Sequence, residues 1–174
     1  METKKNNKLT FNRDMKIDDY LHKSSHFIVN FCLKNGLNTL IIGYNPKWKQ
    51  CINLGVKTNQ NFVSIPFEKL IKMLKYKCQL KGLNLILQEE SYTSKCSFLD
   101  NESIEFHNIY CGKRIKRSWF ITKKGILIHA DVNGSYNIMR KAVPEVNFEN
   151  GIEGLTNSEN YLIPVNPKRI KSFK

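Results

Sequence analysis

At 174 residues and 20.3 kDa the chain has the size of one domain with a tail, and is too short for two full cores. Its 41% hydrophobic and 25% charged residues suit a soluble globular protein. No apolar stretch approaches the roughly 18 residues of a membrane span, and lysine-rich residues 1–10 lack the apolar segment of a secretory signal. Twenty-eight Lys and Arg against 15 Asp and Glu leave a net charge of +13, which biases a small domain toward polyanions. Nucleic acid comes first, because no long basic amphipathic helix dominates to suit a membrane surface.

The first ten or so residues show no pattern and are expected to be disordered. From Ile17 to Lys34, apolar residues recur at helical spacing, with Asp18 and Asp19 at the start and Gly36 after the end. Leu37–Ile42 reads as a buried strand ending at Gly43. Tyr44–Ser64 reads as a long, functional loop. Pro66 opens a second helix with Phe67, Leu70, Ile71, Leu74 and Cys78 on one face, and Gly82 closes it. Leu83–Leu87 is a second buried strand. Two apolar strands joined by a helix predict a βαβ unit with parallel strands. Gln88–Asp100 is a polar turn region. Trp119–Thr122 and Ile126–His129 predict a hairpin around Lys123-Lys124-Gly125, and a helix runs from Val132 to Ala142, stopped by Pro144. No internal repeat stands out, and residues 144–174 read as a tail.

The five cysteines (Cys32, Cys51, Cys78, Cys96 and Cys111) form no CxxC pair. They read as reduced thiols of a cytoplasmic protein, without the paired ligands of a zinc site. His22, His26, His107 and His129 show no ligand spacing.

Two constellations could carry chemistry. Glu89 and Glu90 follow one strand and Asp131 follows another. Ligands of open α/β sheets bind beyond the carboxyl ends of strands, and carboxylates there could hold Mg²⁺ for phosphodiester hydrolysis. The plainer reading makes Asp131 a helix cap and Glu89-Glu90 a solvated turn. The second constellation is basic: Lys113, Arg114, Lys116, Arg117, Lys123 and Lys124, interleaved with Tyr110, Trp119 and Phe120. Cations neutralise phosphates and aromatics can stack on bases; the alternative is a solvated hairpin with core aromatics. Lys47, Trp48 and Lys49 could add a backbone-gripping loop.

The segments DYLHK at 19–23, IIGYNPKWKQ at 41–50, ESYTSKCSFLD at 90–100, GKRIKR at 112–117 and HADVNGSYNIMRKA at 129–142 occur in an order that resembles the TnpB/OrfB family of insertion-sequence transposases. The resemblance runs over residues 12–143. It implies the C-terminal part of an RNase H-like (RuvC) α/β nuclease fold, with parallel strands, flanking helices and the first strands missing. It also implies Mg²⁺-dependent DNA cleavage and a guide RNA. By the same resemblance Asp131 matches the last catalytic aspartate. The family's glutamate usually stands where this chain has Gly43; in some relatives it moves to just before the TSK motif, where this chain has Glu90, with Glu89 as the alternative. The basic stretch 91–128 replaces a zinc ribbon, so no zinc is expected. The first catalytic aspartate has no counterpart, which implies weak or no cleavage by this chain alone. A non-catalytic DNA- or RNA-binding module and a decayed remnant are the competing readings.

Overall fold

A computed structural model describes residues 4–45 and 66–145. Lys47, Trp48 and Lys49 lie outside the described residues. Three helices and five strands are present among those described: α1 (Lys4–Lys34), β1 (Thr39–Gly43), α2 (Phe67–Leu80), β2 (Asn84–Gln88), β3 (Lys113–Lys116), β4 (Trp119–Ile121), β5 (Leu127–His129) and α3 (Ala130–Ala142). They divide into two compact units. Residues up to Leu40 together with 66–85 form the first, and residues 41–45 together with 86–145 form the second.

In the first unit α1 packs on α2 through Leu21, Ser25, Val29 and Cys32 on one side and Ile71, Leu74 and Cys78 on the other, all buried. Lys77 reinforces the pair by donating to His22 O at 2.8 Å and to Ser25 Oγ at 2.7 Å, and burial pulls its pKa down. The helix begins at Lys4, not after a disordered stretch through residue 11. Residues 6–16 are exposed all round, so no amphipathic pattern announced them. Extending a helix already anchored at its other end adds one hydrogen bond per residue without a new nucleus. Asp18 and Asp19 therefore stand mid-helix, where they pair with Lys69 at 2.5 Å and Lys23 at 2.9 Å instead of meeting the dipole.

Both helices end alike. Cys32-Leu33-Lys34-Asn35-Gly36-Leu37-Asn38 and Cys78-Gln79-Leu80-Lys81-Gly82-Leu83-Asn84 share a cysteine, then Gly-Leu-Asn at matching offsets. Leu37 N donates to Cys32 O and Leu83 N to Cys78 O, both at 2.9 Å, while Gly36 and Gly82 take φ of 65° and 68°. These are Schellman-type caps, which need a left-handed residue. A short repeat thus exists where none stood out, because it spans only the helix exit. It also explains why the strands begin at Thr39 and Asn84, two residues and one residue later than expected: the intervening residues are used in the caps.

β1 and β2 pair side by side and in parallel, with Asn84 N on Asn38 O at 2.8 Å at one end and Tyr44 N on Gln88 O at 2.7 Å at the other. This is the expected βαβ arrangement. The strands are half-buried, not buried, and Leu87 is exposed.

In the second unit β3, β4 and β5 form a separate antiparallel sheet. Trp119 faces His129 and Ile121 faces Leu127, as the hairpin reading anticipated. The basic strand β3 adds to β4 with a register shift between Arg114 and Lys116. Phe120, Ile128 and Ala130 make the core, flanked by Leu99, Ile126, Val132 and Tyr136. Phe120 is consequently a core residue and not a base-stacking one. Gly112 lies so close to the Phe120 ring and the Ile121 carbonyl that a Cβ has no room. The fold is mixed α/β, but the sheet that carries β5 is not the sheet that carries β2, so Glu90 and Asp131 do not follow strands of one sheet.

Candidate functional site

α3 organises the second unit, and its two sides do different work. Asn133, Asn137 and Arg140 follow at i, i+4 and i+7 and form one stripe. Asn133 accepts from Phe98 N at 3.0 Å and donates to Cys96 O at 2.9 Å. Asn137 donates to Thr93 O at 2.9 Å and Cys96 O at 2.8 Å. Arg140 donates to Asn101 Oδ1 at 2.7 Å and to Glu102 O, with its guanidinium 5.6 Å from the Phe98 ring centre; burial lowers its pKa. Helix α3 therefore grips the TSKCS loop by its backbone, through two fully buried asparagines.

Glu102 closes the same loop. The residue is 7% exposed, and its carboxylate accepts from Ser97 N at 2.6 Å and Cys111 N at 2.7 Å. One side chain thus ties residue 97 to residue 111, immediately before Gly112 and the basic strand. Asp100 adds a second tie by accepting from Lys123 N at 2.8 Å. Burial raises the Cys96 thiol, which stays a neutral donor to Glu105 O. Among the described residues no group of three or more His, Cys, Asp and Glu is placed to hold a metal.

The opposite face of α3 carries Asp131, Ser135 and Ile138, again at i, i+4 and i+7. Asp131 sits in the first turn and is 74% exposed. It is not the helix cap: His129 is, its Nδ1 accepting from Asp131 N at 3.3 Å. That releases the Asp131 carboxylate for other work. Its near neighbours are Arg114 Nη2 at 3.8 Å and His129 Nδ1 at 3.9 Å. Val132, Ser135, Tyr136 and Met139 line a cavity of about 230 Å³ beside it.

Glu90 reaches the same face of α3 from the other side. A Cβ built on Gly43 would meet Glu90 Oε2 at 2.6 Å and Ile138 Cδ1 at 2.7 Å. The Glu90 carboxylate therefore occupies the space a side chain at 43 would fill. Ile138 stands at i+7 from Asp131, so Glu90 and Asp131 both lie along one face of α3.

Glu89 is engaged elsewhere. It accepts from Lys141 Nζ at 2.5 Å, from Ser91 N at 2.8 Å and from the Ser91 hydroxyl. Lys141 above all, then Ser91, holds its carboxyl below the usual range. A depressed carboxyl stabilises the fold above its ordinary titration range, and that contribution is lost as pH falls through the folded value. Lys141→Met is expected to move the Glu89 titration, followed by NMR, up toward an ordinary carboxylate. An unmoved Glu89 would show the pair to be a surface contact without effect. Glu89 is thus committed to Lys141 and Ser91.

The basic residues Lys113, Arg114, Lys116 and Arg117 are all exposed. Arg114 donates through both Nε and Nη2 to Arg117 O, which folds its guanidinium back toward Asp131. The register shift beside it is the device that redirects a strand's side chains. Arg114 thereby joins the basic strand to the aspartate, which sequence spacing alone did not reveal.

Residues 67–138 match the family model described as Cas12f1-like, TNB domain. The chain is also 30% identical over 127 residues, 71% of its length, to the TnpB-like protein ORF457 of Acidianus two-tailed virus. These two findings support the TnpB/Cas12f family. The chain spans about a quarter of the length of that viral relative, 24%. The TnpB/Cas12f-like match of 67–138 covers α2 through most of α3, and so takes in the TSKCS loop, the basic strand, Glu90 and Asp131. No helix among the described residues is long and apolar enough to cross a membrane.

Proposed function

We propose that this chain is part of a transposase-type, RNA-guided DNA endonuclease with a RuvC-like site, and that Glu90 and Asp131 are its metal-binding carboxylates. The observation that carries the reading is the Glu90 carboxylate lying over Gly43 on the Asp131 face of α3. In the TnpB/OrfB pattern a glutamate belongs at the end of β1; here the acid arrives at that place from β2, and Gly43 leaves it room. Hard oxygen donors of this kind suit Mg²⁺, which when bound stabilises charge on a phosphodiester under attack. Glu90 and Asp131 would supply its ligands. Arg114, 3.8 Å from Asp131, would neutralise a phosphate brought beside it, and Lys113, Lys116 and Arg117 would hold the flanking backbone. The Glu102 tie between residues 97 and 111 performs the cross-linking a zinc ribbon would otherwise supply, so the reading calls for no zinc.

Two carboxylates bind Mg²⁺ weakly, and the chain by itself is expected to cleave little. Mn²⁺ added to the protein in an NMR titration should broaden the amides of Glu90, Ser91, Asp131 and Val132 first. Glu90→Gln combined with Asp131→Asn should abolish that broadening. Broadening centred elsewhere, or unchanged in the double variant, overturns the metal site, and robust cleavage of a plasmid by residues 1–174 overturns the expectation of weak activity. A second reading, a nucleic-acid-binding module without catalysis, is favoured by the Arg114–Asp131 contact and by the lack of a three-ligand cluster among the described residues. Under it, alanine at Glu90 and Asp131 leaves oligonucleotide affinity intact and no metal broadening occurs.

A further inference from the structure

Two free thiols are buried in the seam between α1 and α2, and neither belongs to the candidate site. Cys32 is 4% exposed and Cys78 1%. Each stands on the face of its helix that carries the buried contacts, Cys32 in line with Leu21, Ser25 and Val29, and Cys78 with Ile71 and Leu74. Both helices and both cysteines lie within the first unit.

Three observations bring the two sulfurs together. The repeated helix exit is the first. Cys32 stands six residues before Asn38 and Cys78 six before Asn84, the same cap closes both helices, and Asn84 N bonds to Asn38 O at 2.8 Å. Two copies of one exit that feed neighbouring parallel strands are offset by about the strand spacing of 4.8 Å where they enter the sheet. The second is level along the seam. The helices run the same way, and Lys77, whose stem points back toward the start of α2, reaches Ser25 Oγ at 2.7 Å and His22 O at 2.8 Å. Lys77 therefore stands beyond Ser25 by about a turn, which puts Cys78 level with the Val29–Cys32 turn of α1. The third is depth. Inward-facing Cα atoms of helices about 8–10 Å apart, each about 2.3 Å off its axis, approach to about 4–6 Å, and a disulfide spans about 4.4–6.8 Å between Cα atoms. The electrostatics agree: burial pushes both thiols up, and the neighbouring Cys32 pushes Cys78 up further.

We propose that Cys32 and Cys78 form a reversible redox lock, a dithiol that a low-molecular-weight disulfide such as oxidised glutathione converts into a bond tying the end of α1 to the end of α2. One protein thiolate attacks a sulfur of the oxidant, whose S–S bond breaks and releases a first glutathione. The other protein thiolate attacks the protein sulfur of the mixed disulfide, the Cys32–Cys78 bond forms, and the second glutathione leaves. Two protein thiols are oxidised, one oxidised glutathione is reduced, and the two protons pass to the departing thiols. Burial keeps the thiolates scarce, so the exchange is slow and proceeds through local opening of the helix exits. The bond closes a loop of about 46 residues and restricts the unfolded chain, which stabilises the fold.

The test uses the full chain, equilibrated in its native state with glutathione buffers of increasing oxidised fraction, then quenched, alkylated and digested for mass spectrometry. An intramolecular Cys32–Cys78 cross-link is expected to appear over hours, to raise the melting temperature by about 8 °C, and to revert with dithiothreitol. Cys32→Ala and Cys78→Ala should each lose both the cross-link and the rise. Because either variant could be less stable from the start, the mapped bond in the wild type decides the matter independently. Thiols at 32 and 78 that stay free in the folded protein at the most oxidising ratio overturn the lock. So does a bond from either one to Cys51, Cys96 or Cys111, or a Cys32–Cys78 bond that forms only in urea. A bond that forms without raising the melting temperature, or a rise that persists in the alanine variants, overturns it as well.

Discussion

Asn133→Leu is expected to cost about 3 kcal/mol of stability, because the substitution leaves two buried backbone groups, Phe98 N and Cys96 O, without their side-chain partner. Cys96 O keeps a bond from Asn137, so the loss should fall short of the largest known for buried polar groups. In a chain of this size the change should lower the melting temperature by roughly 10 °C. Leucine has the heavy-atom count and branching of asparagine and a better helix propensity, so a loss of this size reports mainly the hydrogen bonds. Ser135→Ala, on the exposed side of the same helix, is the control and should stay within about 0.5 kcal/mol. Circular dichroism melts of the three proteins decide the matter. Equal melting temperatures for Asn133→Leu and Ser135→Ala would show that the loop does not depend on α3. Repeating the wild-type melt in excess chelator should change nothing, since the Glu102 carboxylate holds residues 97 and 111 by hydrogen bonds. A large fall would reveal a structural metal instead.

The second large effect concerns the basic strand. Replacing Lys113, Lys116 and Arg117 together by alanine should remove about three phosphate contacts, which lowers the slope of log affinity against log salt by roughly 2.7. Between about 50 and 200 mM salt the wild type should then lose about 40-fold more affinity than the triple variant does. All three side chains are exposed, so the fold should survive their loss. Fluorescence anisotropy with unrelated duplex sequences reads the effect, which should be the same for each because phosphates carry no sequence information. A slope that does not move would place the electrostatic footprint elsewhere on this +13 chain.

The division of labour between Glu89 and Glu90 shows where local pattern runs out. Two adjacent glutamates after a strand are equivalent in sequence. The tertiary fold separates them by giving Glu89 a lysine fifty-two residues away and giving Glu90 the open space over a glycine. Asp131 is similar. Its place at a helix start was legible, but whether it capped the helix or pointed outward depended on the neighbouring His129, whose ring nitrogen takes the amide instead. The two asparagines of α3 did leave a trace in the sequence. Asn is a poor helix-interior residue because its side chain competes for backbone groups, so a pair four residues apart inside a helix points to buried partners. Only the fold shows that the partners are the carbonyls and amide of the TSKCS loop.

Sequence by itself determined the elements whose signals are local: the packed part of α1, α2, the β4–β5 hairpin, α3, the glycines that end two helices, and the cationic bias of the chain. Periodicity and turn chemistry act over a few residues, and a reader of the chain can weigh them directly. Tertiary structure decided what depends on distant chain: which sheet each strand joins, that Glu90 lies over Gly43, that Arg114 turns toward Asp131, and that Phe120 fills a core. Those outcomes follow from burial and hydrogen-bond satisfaction across separations of 17 to 52 residues, where many pairings are compatible with the same local pattern and only close packing selects among them.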